Sequence, residues 1–194
     1  MKMRIDSMQT AQDAAEPSDA AKFIWLTILT LAGVGGSLVI SCIAPFVALA
    51  VTLAGTVRLS LALRAMSVIW FANQLIVFSF FNFPRTANTF LWGVAIAAAA
   101  LLSTSVTSLA INRSRRLSIF VRLALAFGVG FVSYQGTLML ASLALGGRET
   151  FMLVVIAQIF VVNAAWLAGL VGLNELMSIL GNRLIGKMPR LLKV

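Results

Sequence analysis

Residues 23–57 read FIWLTILTLAGVGGSLVISCIAPFVALAVTLAGTV, 35 residues without a charge. As a single helix this stretch would be about 50 Å long, against a hydrocarbon core of about 30 Å. Pro45 lacks an amide donor and biases Ala44 away from helical angles, so the sequence predicts a break near Ser41–Pro45. The stretch therefore reads as two membrane segments rather than one.

Working outward, apolar runs fall at about 23–40, 44–57, 62–81, 88–111, 117–145 and 150–178. Basic residues decide between topologies. With six spans and the N-terminus inside, 13 of the 15 lysines and arginines fall on the cytoplasmic side and only Arg85 and Arg148 outside. A five-span alternative divides them 10 to 5. Because cytoplasmic loops are enriched in Lys and Arg, the six-span arrangement is favoured. The expected fold is an all-α integral membrane protein, a six-helix transmembrane bundle with both termini cytoplasmic. Residues 1–21 are expected as a mobile cytoplasmic tail, 22–188 as the membrane domain and 189–194 as a basic C-terminal tail. The second span is short and is expected to lean on its neighbours.

Composition agrees. The chain is 60% apolar and 11% charged over 194 residues, the signature of a membrane domain. Its net charge of +9 sits at helix ends and short loops, which points to topology and not to nucleic acid. One cysteine excludes an intrachain disulfide, and the absence of histidine removes the commonest general base and metal ligand. The Gly33-Val34-Gly35-Gly36 run lies inside a span and reads as close helix packing, not as a nucleotide fingerprint. Small residues four apart (Ala32/Gly36, Gly33/Ser37, Ala44/Ala48, Ala50/Ala54 and the 95–100 tract) read the same way. Ala50/Ala54, near the cytoplasmic end, is the natural face for a partner protein.

Polar side chains converge in depth. Asn73 and Gln74 precede the outer end of the third span by seven or eight residues. Tyr134 and Gln135 lie about ten residues before the outer end of the fifth, and Gln158 eight residues past Thr150 in the sixth. All sit about 10–16 Å below the outer surface. Cys42, Asn82, Arg85, Asn88, Thr89, Arg148 and Glu149 lie above that layer, Trp70 and Trp92 flank it, and Asn163 and Trp166 lie deeper. The layer is the chemistry of an outward-facing pocket for a largely uncharged, hydrogen-bonding ligand. The competing reading is that these amides only bond across helices and the tryptophans form the interfacial belt. No charged residue lies centrally in any span, so no proton relay is evident and a partner would have to supply energy.

Cys42 falls at the outer turn between the first two spans. It reads either as a small hydrophobe or as a soft ligand at the pocket mouth for a metal carried within an organic ligand. The Val39–Cys42 string resembles a lipobox, but Ile43-Ala44-Pro45-Phe46 opens an apolar run where a lipoprotein has a polar tether.

Over about 22–188 the chain resembles a substrate-binding (S) subunit of the energy-coupling factor class of vitamin transporters. Three strings, Cys42-Ile43-Ala44-Pro45-Phe46, Trp70-Phe71-Ala72-Asn73-Gln74 and Asn88-Thr89-Phe90-Leu91-Trp92-Gly93, look similar to small proteobacterial proteins linked to cobalamin uptake. The resemblance implies a non-enzymatic bacterial inner-membrane protein that captures a vitamin, cobalamin or a related corrinoid, and has no cofactor of its own. It implies Cys42 as an axial cobalt ligand, and a transmembrane coupling subunit with ATPases as partners. Ala50/Ala54 resembles the AxxxA motif that docks the coupling subunit, although in that class the motif usually lies on the first helix. Two rival functions remain at this level: a non-catalytic accessory subunit of a larger complex, and a membrane enzyme with Cys42 as nucleophile.

Overall fold

A computed structural model describes residues 18–39, 44–80, 83–147, 151–184, 189 and 191, with the side chains of 37–39 and 181–184 outside that description. The described residues form six helices and no strand: α1 (Asp19–Val39), α2 (Phe46–Thr56), α3 (Leu59–Ser79), α4 (Ala87–Arg113), α5 (Ile119–Leu145) and α6 (Leu153–Leu184). Five are long and apolar enough to cross a membrane. The chain is a multi-pass helical membrane protein. The expected 1–21 tail lies outside the described residues up to residue 17, and α1 already begins at Asp19.

The exception is α2. Its 11 residues span about 16 Å, roughly half a hydrocarbon core. The sequence predicts a second span of about 14 residues leaning on its neighbours, and the helix is shorter and far more enclosed than that. It touches each of the other five helices, and Phe46 through Leu53 are all buried. At its far end the Trp25 indole of α1 donates to Thr56 Oγ1 at 3.2 Å. A helix with apolar residues on every face suits a position at the centre of a bundle.

Around α2 the remaining helices pack as α1 on α3, α3 on α4 and α4 on α5, with α6 against α2 and more lightly against α5. The α4–α5 seam is the closest. Ser103 Oγ donates to the Gly130 carbonyl at 3.0 Å and Thr107 Oγ1 to that of Ala126 at 3.4 Å. Gly130 permits this approach, because a Cβ there would lie 2.6 Å from Thr107 Oγ1 and 3.2 Å from Ser103 Oγ. Gly33 does the same for α1, where a Cβ would meet Ile69 and Leu49 at 2.9 and 3.0 Å. Both are small-residue contacts of the kind that bring helices together in lipid.

Near the end of α6, Asn174 is buried and binds the returning chain. Its Nδ2 donates to the Pro189 carbonyl at 2.9 Å, and its Oδ1 accepts from the Leu191 amide at 2.8 Å. Pro189 and Leu191, expected to begin a tail, are thereby tied to the bundle, with Leu191 in the core.

Candidate ligand-binding cavity

Pro45 precedes α2 and offers no side-chain cap, so the amides of the first turn need partners from elsewhere. The Phe46 amide bonds to the Ala44 carbonyl at 2.8 Å. Those of Val47 and Ala48 both donate to Asn163 Oδ1 of α6, at 3.2 and 3.3 Å. Asn163 Nδ2 is anchored on the Ile159 carbonyl at 3.0 Å, which fixes the acceptor oxygen toward α2. Asn163 lies ten residues, about 15 Å, into α6 from Leu153, so α2 starts near mid-depth. Gly36 lets α1 close over the same junction, since a Cβ there would lie 2.9 Å from Trp166 and 3.2 Å from Pro45.

Beside this half-helix start lies a cavity of about 240 Å³. Ala44 and Phe46 bound it from α2 and the residues before it. Asn73, Gln74 and Val77 contribute from α3, and Thr89, Trp92, Gly93 and Ile96 from α4. Tyr134, Gln135 and Leu138 face it from α5, with Ile159 from α6 and Phe83 from the segment before α4. None of the described lining residues carries a charge. Phe46 and Tyr134 meet with ring centroids 6.1 Å apart. Thr86 Oγ1 caps α4 by accepting from the Thr89 amide at 3.3 Å and shares a 2.9 Å hydrogen bond with the Thr89 hydroxyl, which holds that hydroxyl in place.

The polar lining differs residue by residue. Asn73 is buried and partnered. The Gln74 carboxamide rests against Gly93, where a Cβ would stand 3.1 Å from Oε1. Gln135 is only 8% exposed, and its Nε2 finds no hydrogen-bond partner among the described residues. A buried amide donor without a partner is costly, and a ligand carrying an acceptor oxygen would relieve it.

Five of the expected site residues thus come together: Asn73, Gln74, Trp92, Tyr134 and Gln135. Others are placed elsewhere. Gln158 is exposed, and Ile159 takes its place, because the inward stripe of α6 runs through Ile159, Asn163, Leu170, Asn174 and Ser178. Trp70 does not line the cavity; its Nε1 donates to the Gly93 carbonyl at 3.0 Å and holds α3 to α4. Arg85 and Asn88 are exposed and outside the cavity wall. Ala50, expected on a docking face, has 0% of its surface exposed because α2 is enclosed on all sides, and Ala54 packs against the core beside it. That pair serves the bundle's own packing. Cys42, Asn82, Arg148 and Glu149 lie outside the described residues, and with them the expected cobalt ligand.

Compared with family models, curated proteins and solved structures, the chain matches none.

Phe46, Val77, Gly93 and Ile159 were not among the expected site residues. The signal for Ile159 and Asn163 was present in the sequence. Asn163, Asn174 and Ser178 repeat at helical spacing, and Gln158 stands about 100° off that stripe. Among the described residues no group of three or more metal-ligating side chains occurs.

Proposed function

We propose that this chain is the substrate-capturing membrane subunit of a vitamin uptake system, taking its ligand into the cavity between α3, α4 and α5 and depending on partner ATPases for energy. The observation that carries this reading is the unpartnered Gln135 amide at a cavity wall without charge. It favours a neutral ligand that presents a carbonyl or similar acceptor, since an ionised group buried there would find no counter-charge among the described lining residues. The cavity lies at the end of the bundle opposite Arg58, Arg113, Arg115 and Arg116, so with that basic end cytoplasmic it opens outward, and both termini lie on the cytoplasmic side of a bacterial inner membrane. Its volume is below the roughly 300–1,000 Å³ of sites for drug-sized ligands. That size favours a compact ligand. A corrinoid held by Cys42 would be accommodated mainly outside the described wall.

The accessory-subunit reading draws support from a different observation. Trp70, Ser103, Asn163 and Asn174 all spend their polar groups on backbone atoms within this chain.

Thermal unfolding in detergent separates these readings. The probes are nicotinamide, pyridoxine, riboflavin and cobalamin, with nicotinate as the charged counterpart of nicotinamide, tested on the wild type and on Gln135→Leu. A neutral probe that raises Tm in the wild type and not in the variant supports capture. A visible corrin band that depends on Cys42 would assign cobalamin. If no probe shifts Tm, or the variant responds equally, capture at Gln135 fails and the accessory role is favoured.

A further inference from the structure

At the other end of the bundle Arg122 is 8% exposed, and its Nε has no partner among the described residues. Only the Nε is buried without a partner, which leaves the head of the guanidinium free to meet a ligand at the helix end, and no acid among the described residues answers its charge. Asp19 pairs with Lys22 at 3.0 Å, and Glu175 is exposed on α6. The α4–α5 register, Ser103 with Gly130 and Thr107 with Ala126, sets Arg122 opposite Ile111 when extended by one turn. The side chain thus sits on the packed seam just inside the helix end.

The start of α5 supplies the rest. Ser118 occupies the N-cap without making a side-chain cap, and the first intrahelical bond runs from the Arg122 amide to the Ser118 carbonyl at 3.0 Å. The amides of residues 119–121 therefore point out of the helix end, which carries partial positive charge. A side chain at the fourth helical position leans back over that first turn. Arg113 at the end of α4 and Arg115 and Arg116 in the adjoining turn are exposed, at the depth where helices leave the hydrocarbon. Arg115 also donates to Asn112 Oδ1 at 2.9 Å, which holds that turn.

We infer that the α5 N-terminus and Arg122 form a binding site for a phosphate group, supplied by an anionic lipid headgroup. A phosphate accepts from a guanidinium and from helix-terminal amides together, and the flanking arginines attract anionic lipid. This site is separate from the cavity and does not depend on what the cavity holds.

The test counts lipids retained by the full chain in native mass spectra from micelles doped with phosphatidylglycerol or phosphatidylcholine. Melting is followed in the same mixtures and in millimolar inorganic phosphate. The wild type should retain phosphatidylglycerol preferentially. Arg122→Gln should weaken that retention about tenfold while leaving stability in phosphatidylcholine unchanged or higher. Arg85→Gln, at the opposite end, should retain it as the wild type does. Protection by inorganic phosphate that needs Arg122 would assign the same site with a water-borne source. Equal retention by Arg122→Gln, or equal destabilisation of it in both lipids, would overturn the proposal. If Arg122→Gln does not fold, the exposed Arg116→Gln decides: a loss of about fivefold is expected, and an unchanged preference refutes the site.

Discussion

Trp70 Nε1 stands 3.0 Å from the carbonyl oxygen of Gly93, and this bond ties α3 to α4 at the cavity wall. One turn further along α3, Gln74 Oε1 sits where a Cβ on the same glycine would come within 3.1 Å of it. Gly93 therefore serves as a backbone seat for two α3 side chains, one structural and one facing the cavity.

Trp70→Phe should remove the tie and leave the Gly93 carbonyl with only its own helical bond. A loss of about 1 kcal/mol is expected, read as a lower Tm in detergent. Binding by the cavity should survive in the folded fraction, because the indole does not line it.

Gly93→Ala acts differently. The added methyl would crowd the Gln74 carboxamide, which is a mobile side-chain end and can turn aside. Stability should change little, whereas ligand affinity should fall because the amide is displaced. A titration of both proteins with the probe that stabilises the wild type reads the difference, and equal affinities would contradict it.

Gly130→Ala tests the α4–α5 seam. A Cβ 2.6 Å from Thr107 Oγ1 has no room, and Thr107 is itself held against Ala126. The helices must part, at a cost of about 1–3 kcal/mol. Unfolding in denaturing detergent should show this loss, and the double variant Gly130→Ala with Thr107→Ala should recover part of it.

Asn163→Leu should be among the most damaging changes in the bundle. It strands two buried amides of α2, each costing about 1–3 kcal/mol. Asn163→Asp keeps an acceptor for both amides and should retain more stability than the leucine variant. The order of the two melting temperatures is the measurement.

Orientation has its own check. On a Cys42→Ser background, Arg85→Cys should react with a membrane-impermeant maleimide in intact cells, and Arg115→Cys only after lysis. The reverse pattern would turn the cavity toward the cytoplasm.

Hydropathy and Pro45 were enough to divide the first 35 apolar residues in two and to place the helices within a few residues. Counting residues from span ends brought Asn73, Gln74, Tyr134 and Gln135 to one level, and these four do meet. Depth alone carries no azimuth, which is why Gln158 was expected inward although it lies beside the buried stripe of α6. Spacing of small residues has a similar blind spot: Ala50 and Ala54 signal a close neighbour but not whether that neighbour belongs to the same chain. The role of Asn163 was the least legible, because its partners on α2 lie 116 and 115 residues away.

The enclosure of α2 bears on how the protein is made. Synthesis delivers α2 to the membrane long before α6 exists, with two first-turn amides whose acceptor has not been translated. Hydrocarbon offers those amides nothing. Until α6 arrives, α2 must wait at a wetter or protein-lined station, and Asn163 then serves as the latch that admits it to the centre. Insertion of this chain cannot be a simple succession of independent hairpins, and a ribosome stalled before α6 should leave α2 open to protease or to water-borne labels.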